Sequence, residues 1–250
     1  MFERVGVIGL GQFGRLLAES LAPHVDVVVH DARADGDAPA GTTRVGIEDA
    51  GRSDVVVPAV NLQHLPEVFD AVAPTLGDGA LVADVTSVKV EPIRLMRERL
   101  PERVGLLGTH PLFGPQSVAE QGLSGQRLAV CRVRIDDERF AAVERVLAGT
   151  LGLELIDTTP DEHDRQMALV QALTHLVGHA AAELDLADLE LGTLAYRRLR
   201  QLARNIGGDS EELFEAIQGA NPYAAEVRAR FVEAVERVRR RAGDGPTIDQ

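Results

Sequence analysis

The chain has 250 residues, 45% of them hydrophobic, and a formal net charge of -13 at pH 7, enough to bury one large core or two modest ones. Phosphate surfaces are bound by clustered Lys and Arg, so this acidic balance excludes an ordinary nucleic-acid-binding protein. No stretch is apolar enough to span a bilayer, and Met1-Phe2-Glu3-Arg4 runs straight into a strand pattern instead of a signal-peptide core, so a cytoplasmic protein with no membrane partner is expected.

Residues 4–8 (RVGVI) and 25–31 (VDVVVHD) read as strands, and between them Phe13, Leu16, Leu17 and Leu21 keep the spacing of a helix face. The segment 32–46 is rich in Gly, Ala and Asp and reads as loop. Strand and helix then alternate: strand 54–60, helix 63–76, strand 80–85, helix 89–100 and strand 104–108. The run RLAVCRV, a helix over 137–149 and LELID at 153–157 complete the set. Strands that are apolar almost throughout predict a doubly wound, Rossmann-like α/β sheet, mostly parallel and covered on both faces. Cys131, alone of its kind, is expected to be a small strand residue.

After Asp157 no strand pattern follows. Thr159-Pro160-Asp161-Glu162 has the form of a capping box with proline at the first helical position. Helices are expected over 161–187, 190–207, 209–219 and 222–241, the last closing on the basic run RVRRR, where cations suit a helix C-terminus. Between Met167 and Ala182 the pattern is apolar nearly all round, which points to burial from both sides, within the domain or in a homodimer. The chain is accordingly divided into a dinucleotide-binding domain, 1–158, and an all-α domain for substrate binding and dimerisation, 159–250.

GLGQFG places Gly9, Gly11 and Gly14 between a strand and a helix, with Asp31 ending the next strand. In that context Gly9 makes the tight turn, Gly11 lets a pyrophosphate approach the backbone, and Gly14 permits close helix packing. The amides of Gln12 and Phe13 face the phosphates. Asp31 would accept from the ribose hydroxyls and repel a 2'-phosphate, which favours NAD, whereas Arg33 keeps NADP open. Ala59 and Val60, after a strand beside this turn, should line the cofactor cleft.

ADVTSVK (83–89) and GTHPLFGPQS (108–117) both sit at carboxyl ends of predicted strands, where open α/β sheets hold ligands. His110 is the one histidine expected at that edge, and imidazole has a pKa suited to taking a hydroxyl proton as a hydride leaves. His175 and His179 are four apart on one helical face, yet position 176 is Leu where a metalloprotease helix has Glu, so no metal is expected. His163-Asp164 reads as a solvated or capping pair, with a place near the pocket as the alternative.

With these motifs placed, the sequence resembles the prephenate/arogenate dehydrogenases of tyrosine biosynthesis. GTHPLFGPQS follows the D-x-x-S-x-K element formed by Asp84, Ser87 and Lys89, and EHDRQMALVQALTHLVGH, TLAYRRL and EELFEAIQGANP come after it. The resemblance implies NAD-dependent oxidative decarboxylation of prephenate to 4-hydroxyphenylpyruvate, or of arogenate to tyrosine. It makes His110 the group that bonds the substrate's ring hydroxyl, Ser87 the residue that orients it, and His175 part of the substrate pocket. Arg197, or its neighbour Arg198, would bind a substrate carboxylate, and Lys89 would anchor the loop carrying Ser87. Two other classes stay open on the residues alone. A β-hydroxyacid dehydrogenase or imine reductase would place a lysine on the long helix, where this chain has His175, and a non-catalytic NAD-binding sensor would leave His110, Ser87 and Arg197 without a task.

Overall fold

A computed structural model describes residues 2–33 and 36–243. The chain divides into two compact units, Met1–His163 and Asp164–Gln250.

The first unit alternates strand and helix, beginning with β1 (Arg4–Ile8), α1 (Gln12–Leu21), β2 (Asp26–His30), β3 (Thr43–Arg44), α2 (Ile47–Gly51), β4 (Val55–Pro58) and α3 (Leu65–Val72). It continues with β5 (Leu81–Asp84), α4 (Val90–Arg99), β6 (Gly105–Pro111), α5 (Pro115–Gln121), β7 (Arg127–Arg134), α6 (Asp137–Glu144), a π-helical turn over 145–150, β8 (Glu154–Asp157) and the start of α7 (Pro160–Met167). The strands form one sheet in the order β3-β2-β1-β4-β5-β6-β7-β8, parallel throughout except for the antiparallel pair β6 and β7. Strand order reverses between β1 and β4, and at such a switch point the crevice opens at the carboxyl ends of the strands.

Consecutive strand residues face opposite sides of the sheet. Val7, Val29 and Leu107 pack beneath Ala18 and Leu21 of α1 and Phe140 of α6. Their neighbours Ile8, Val28 and Leu106 pack against Phe69 and Val72 of α3 and Met96 of α4. Both faces are therefore covered, which is why the strands read as apolar runs. Cys131 lies buried in β7, as its alternating surroundings predict.

Three local expectations change. The segment 32–46 is not loop throughout: Thr43 and Arg44 pair with Val28 and Val29 as an edge strand, and the short α2 follows. Two-residue strands carry no periodicity to read. β6 runs on to Pro111 instead of stopping at 108, because β7 pairs with it through His110↔Ala129 and Pro111↔Leu128. His110 is thus a strand residue and not a loop residue. The helix expected over 161–187 is interrupted by a π-helical turn at 168–172 and its last segment, α8 (Leu173–Ala182), stops at Ala182.

The second unit is all helical, with α8, α9 (Leu194–Ile206), α10 (Glu211–Gly219) and α11 (Ala224–Ala242). Its core joins Ala172, Ile217 and Ala224, with Leu213 against them. Thr159 caps α7 as predicted, its Oγ1 accepting from the Glu162 amide at 3.2 Å, with Pro160 at the first helical position. The stretch expected to be buried from both sides keeps Leu169 and Val170 exposed in the single chain, by 54% and 61%.

Candidate active site

The glycine turn is built by contacts that leave little choice of residue. Gly9 adopts φ +102°, and a Cβ there would strike the Ala59 carbonyl oxygen. A Cβ on Gly14 would fall on the Gly9 carbonyl oxygen, so α1 can start this close to β1 only without a side chain. Gly11 differs, since a Cβ there would meet nothing within 4 Å. Its lack of a side chain serves no packing inside the chain and leaves room for a ligand against the backbone. Gly11 is also the N-cap of α1, with no side-chain cap and no acidic residue in the first turn, so the amides of Gln12 and Phe13 stay available to an anion.

Asp31, from the end of β2, accepts from the Leu10 amide at 2.6 Å and from the Arg33 amide at 2.8 Å. Burial pulls its pKa up, but these amides and the Arg33 and Arg44 guanidiniums outweigh it and hold the carboxyl below the ordinary range. Arg33 is exposed, its Nε 3.8 Å from Asp31. The Ala59 amide donates to the Ile8 carbonyl at 2.6 Å, which holds Ala59 and Val60 against the turn. An open cradle at Gly11, an uncapped helix start and a fixed carboxylate fit an NAD-type dinucleotide. Gly14→Ala is expected to cost about 1–3 kcal/mol of stability through overpacking. Gly11→Ala should stay within about 0.5 kcal/mol of the parent, as ordinary surface changes do, yet weaken NAD binding. Urea denaturation and a fluorescence titration with NADH separate the two effects.

The loop after β5 is locked by a buried ion pair. Lys89 and Asp84 are both fully buried, with Nζ 2.5 Å from Asp84 Oδ2. Lys89 Nζ also donates to the Thr109 carbonyl at 2.5 Å, and Thr109 Oγ1 donates to the Asp84 carbonyl at 2.6 Å. The Thr86 amide donates to Asp84 Oδ1 at 2.8 Å. Lys89 therefore ties the Ser87 loop to β6 next to His110, the anchoring role expected of it.

His110 follows Leu106 and Gly108 on the α4 face of the sheet, where a Cβ on Gly108 would come 2.8 Å from Ile93 Cδ1. His110 is 5% exposed. Its Nδ1 lies 2.9 Å from Nε2 of His163, the rings meeting edge to face. Burial first, then the positive charge of Lys89, then His163 hold the His110 pKa well below the usual value of 6.5. An apolar cavity of about 390 Å³ lies on the opposite face, lined by Val5, Leu17, Val57 and Leu107 and reaching Phe13, Val85, Thr109 and Pro111 at the carboxyl ends of the strands.

The sequence leaves His163 open between a solvated or capping residue and one near the pocket. His163 is 3% exposed and its neighbour Asp164 is fully buried, so the pair is not solvated. Ser87, expected to orient His110, is half-buried on the loop between Asp84 and Lys89, and among the described residues it makes no hydrogen bond to the ring; His163 does so instead. Only the polar pair in the first turn after a capped start marked His163, and a cap reading explained it equally well.

His175, Arg197 and Arg198 belong to the second unit. His175 Nδ1 is 3.3 Å from Asp209 Oδ2, and burial lowers the His175 pKa while Asp209 acts against it. Arg197 and Arg198 are exposed in the first turn of α9, and among the described residues neither guanidinium is ion-paired.

A family model described as "Prephenate dehydrogenase, nucleotide-binding domain" matches residues 25–153. Another, "TYRAAT1-like, C-terminal domain", matches 180–242. Arogenate dehydrogenase 1 of Arabidopsis thaliana, a chloroplastic protein, is 31% identical over 95% of this chain and 39% of its own length. The probable arogenate/prephenate dehydrogenase of Methanocaldococcus jannaschii is 31% identical over 78% of this chain and 45% of its own. The chain thus spans less than half the length of either relative. The solved prephenate dehydrogenase of Aquifex aeolicus, in complex with hydroxyphenyl propionate and NAD+, superposes with a TM-score of 0.75 at 18% identity, covering 95% of this chain and 89% of that one. That likeness establishes the fold: a mostly parallel eight-stranded sheet with its helices, followed by an all-helical region. Among the described residues no helix is long and apolar enough to cross a membrane.

Proposed function

The chain belongs to the prephenate/arogenate dehydrogenase family, and on that premise we propose that it oxidises and decarboxylates prephenate to 4-hydroxyphenylpyruvate, with NAD as hydride acceptor. The observation that carries this reading is the buried His110 imidazole, kept basic in form and bonded to His163 at 2.9 Å, on the same sheet edge as the glycine turn.

When bound, the nicotinamide accepts a hydride from the ring carbinol carbon. The chain's own residues do the rest. Gly11 and the first amides of α1 hold the pyrophosphate, and Asp31 takes the ribose hydroxyls, which favours NAD over NADP; Arg33 is the group that would receive a 2'-phosphate. His110, donating Nδ1–H to His163, presents a bare Nε2 to the substrate hydroxyl. As the hydride departs, Nε2 shares the hydroxyl proton; carbon dioxide leaves with its electron pair retained by the ring, and the proton returns to the phenol oxygen as the ring becomes aromatic. His163 sets the tautomer and orientation of His110. Ser87, on the loop beside it, completes the hydroxyl's surroundings.

Residues 1–158 act as the dinucleotide domain, and 159–250 supply substrate and dimer contacts. His175 shapes the pocket, and Arg197, with Arg198 beside it, clamps a carboxylate. The exposed Leu169, Val170 and Leu191, the last 94% exposed, support a homodimer through the helical part. Arogenate as substrate is the second reading, favoured by the relatives that bear that name. Steady-state kinetics with both substrates and both nicotinamide cofactors tests the assignment, and turnover of neither substrate would overturn it. Arg197→Ala is expected to raise the substrate KM and to remove about 2–5 kcal/mol of binding, the usual cost of leaving a desolvated carboxylate unpaired. An unchanged KM in that assay would take Arg197 out of the site.

A further inference from the structure

We propose that the helical unit contains a divalent-metal site of the zinc class, with His175, His179 and Asp209 as its protein ligands. One donor atom from each of these residues lies within 4.8 Å of the others.

His175 and His179 share a face of α8, one turn apart. The third donor comes from elsewhere in the chain. α9 lies close against α8 because two contact positions are glycine: a Cβ on Gly178 would come 2.8 Å from Ile206 Cβ, and one on Gly207 would come 2.8 Å from Ala182 Cβ. The turn after α9, closed by the Asp209 amide on the Ile206 carbonyl at 3.0 Å, then brings Asp209 to the histidine face.

A tetrahedral ion with ligands at about 2.0–2.2 Å sets its donor atoms roughly 3.4 Å apart. His175 Nδ1 and Asp209 Oδ2 already stand at 3.3 Å, so the His179 ring alone has to close in. Two further observations point to a ligand. His175 Nδ1 and His179 Nε2 are both buried without a hydrogen-bond partner, which folded proteins rarely leave uncorrected. The Asp209 carboxylate is three-quarters buried, its side chain 26% exposed, and among the described residues it faces no Lys or Arg, only His175 as an ionic partner. A bound cation would satisfy all three groups at once. Two imidazoles and one carboxylate suit zinc or cobalt better than magnesium or calcium, which take all-oxygen sets. The exposed part of Asp209 gives the ion a way in and leaves a fourth position for water or an anion. Phe214 stacks edge-on against His179 at 4.5 Å between ring centroids and steadies that ligand.

The test is direct titration of the metal-stripped chain with Co²⁺, read by visible absorption, and with Zn²⁺, read by calorimetry. One equivalent is expected to bind in the micromolar range or tighter, with the absorption of tetrahedral cobalt. Asp209→Asn and His179→Gln should each weaken binding at least tenfold, and His64→Gln, at an exposed histidine far along the chain, should not. His179→Cys guards against a variant that merely misfolds, since it keeps a ligand and should add a thiolate-to-cobalt charge-transfer band. Absence of stoichiometric binding, or equal binding in the parent and both ligand variants, overturns the site; so does a cysteine variant that binds cobalt without that band. No dehydrogenase assay enters the measurement, so its failure is distinct from failure of the proposed activity.

Discussion

Replacing His110 with Asn is expected to lower kcat by about 10²–10⁴, the usual share of a positioned general base, while the substrate KM stays within a few-fold. Asn keeps a hydrogen-bonding group at this strand position but offers no basic nitrogen. Single-turnover and steady-state rates would measure it, and a drop of less than about tenfold would remove His110 from proton transfer. The pH dependence gives an independent check. Burial, Lys89 and His163 together hold His110 well below the ordinary 6.5, so the ring stays neutral and competent as pH falls through that value. The plateau of kcat/KM should therefore extend to the acid side of 6.5. The same shift acts on stability with a definite sign. The unfolded chain binds this proton more readily, so the contribution of the neutral ring is complete above about pH 6.5 and is lost as pH falls from there toward the depressed folded value. His163→Gln should move the acid limb and lower kcat, with much less effect on KM, because it acts through the orientation of His110.

Lys89→Met is expected to destabilise the fold by about 3–5 kcal/mol, because it leaves the fully buried Asp84 carboxylate without its cation. The Thr109 carbonyl loses a donor as well, and that carbonyl belongs to the residue before His110. Urea denaturation gives the size of the loss. The double replacement Lys89→Met with Asp84→Leu should recover much of it, since an apolar pair of similar volume avoids the unpaired charge. If the single variant melted like the parent, the ion pair would be irrelevant to holding the Ser87 loop and β6 together. A surviving fold with reduced kcat would instead locate the role of Lys89 in positioning the edge that carries His110.

Particular residues show how far the site was legible. The spacing of Gly9, Gly11 and Gly14 can be read directly as a local pattern between a strand and a helix, and for Gly14 the reason is local too, since Gly9, five positions earlier, excludes a side chain there; the atom that excludes one at Gly9 is the Ala59 carbonyl oxygen, far along the chain. The Thr159 cap is legible for the same reason, since its partner is the Glu162 amide. Lys89 is legible as the last member of the D-x-x-S-x-K element, but its contact with Thr109 crosses 20 residues. The extension of β6 through His110 was hidden because the hydrogen bonds that make it a strand come from β7.

The alternation of the longer strands and helices, the glycine turn between β1 and α1 and the start of the helical part were determined by sequence alone, because backbone hydrogen bonds and side-chain periodicity act over a few neighbouring residues; the edge strand β3 and the short α2 were not. Tertiary structure decided which side chains meet: His163 reaches His110 across 53 positions, and Asp209 reaches the histidines of α8 only because Gly178 and Gly207 let two helices approach. The physical reason is that such meetings depend on where elements pack and how closely, a property of whole faces that no local spacing encodes.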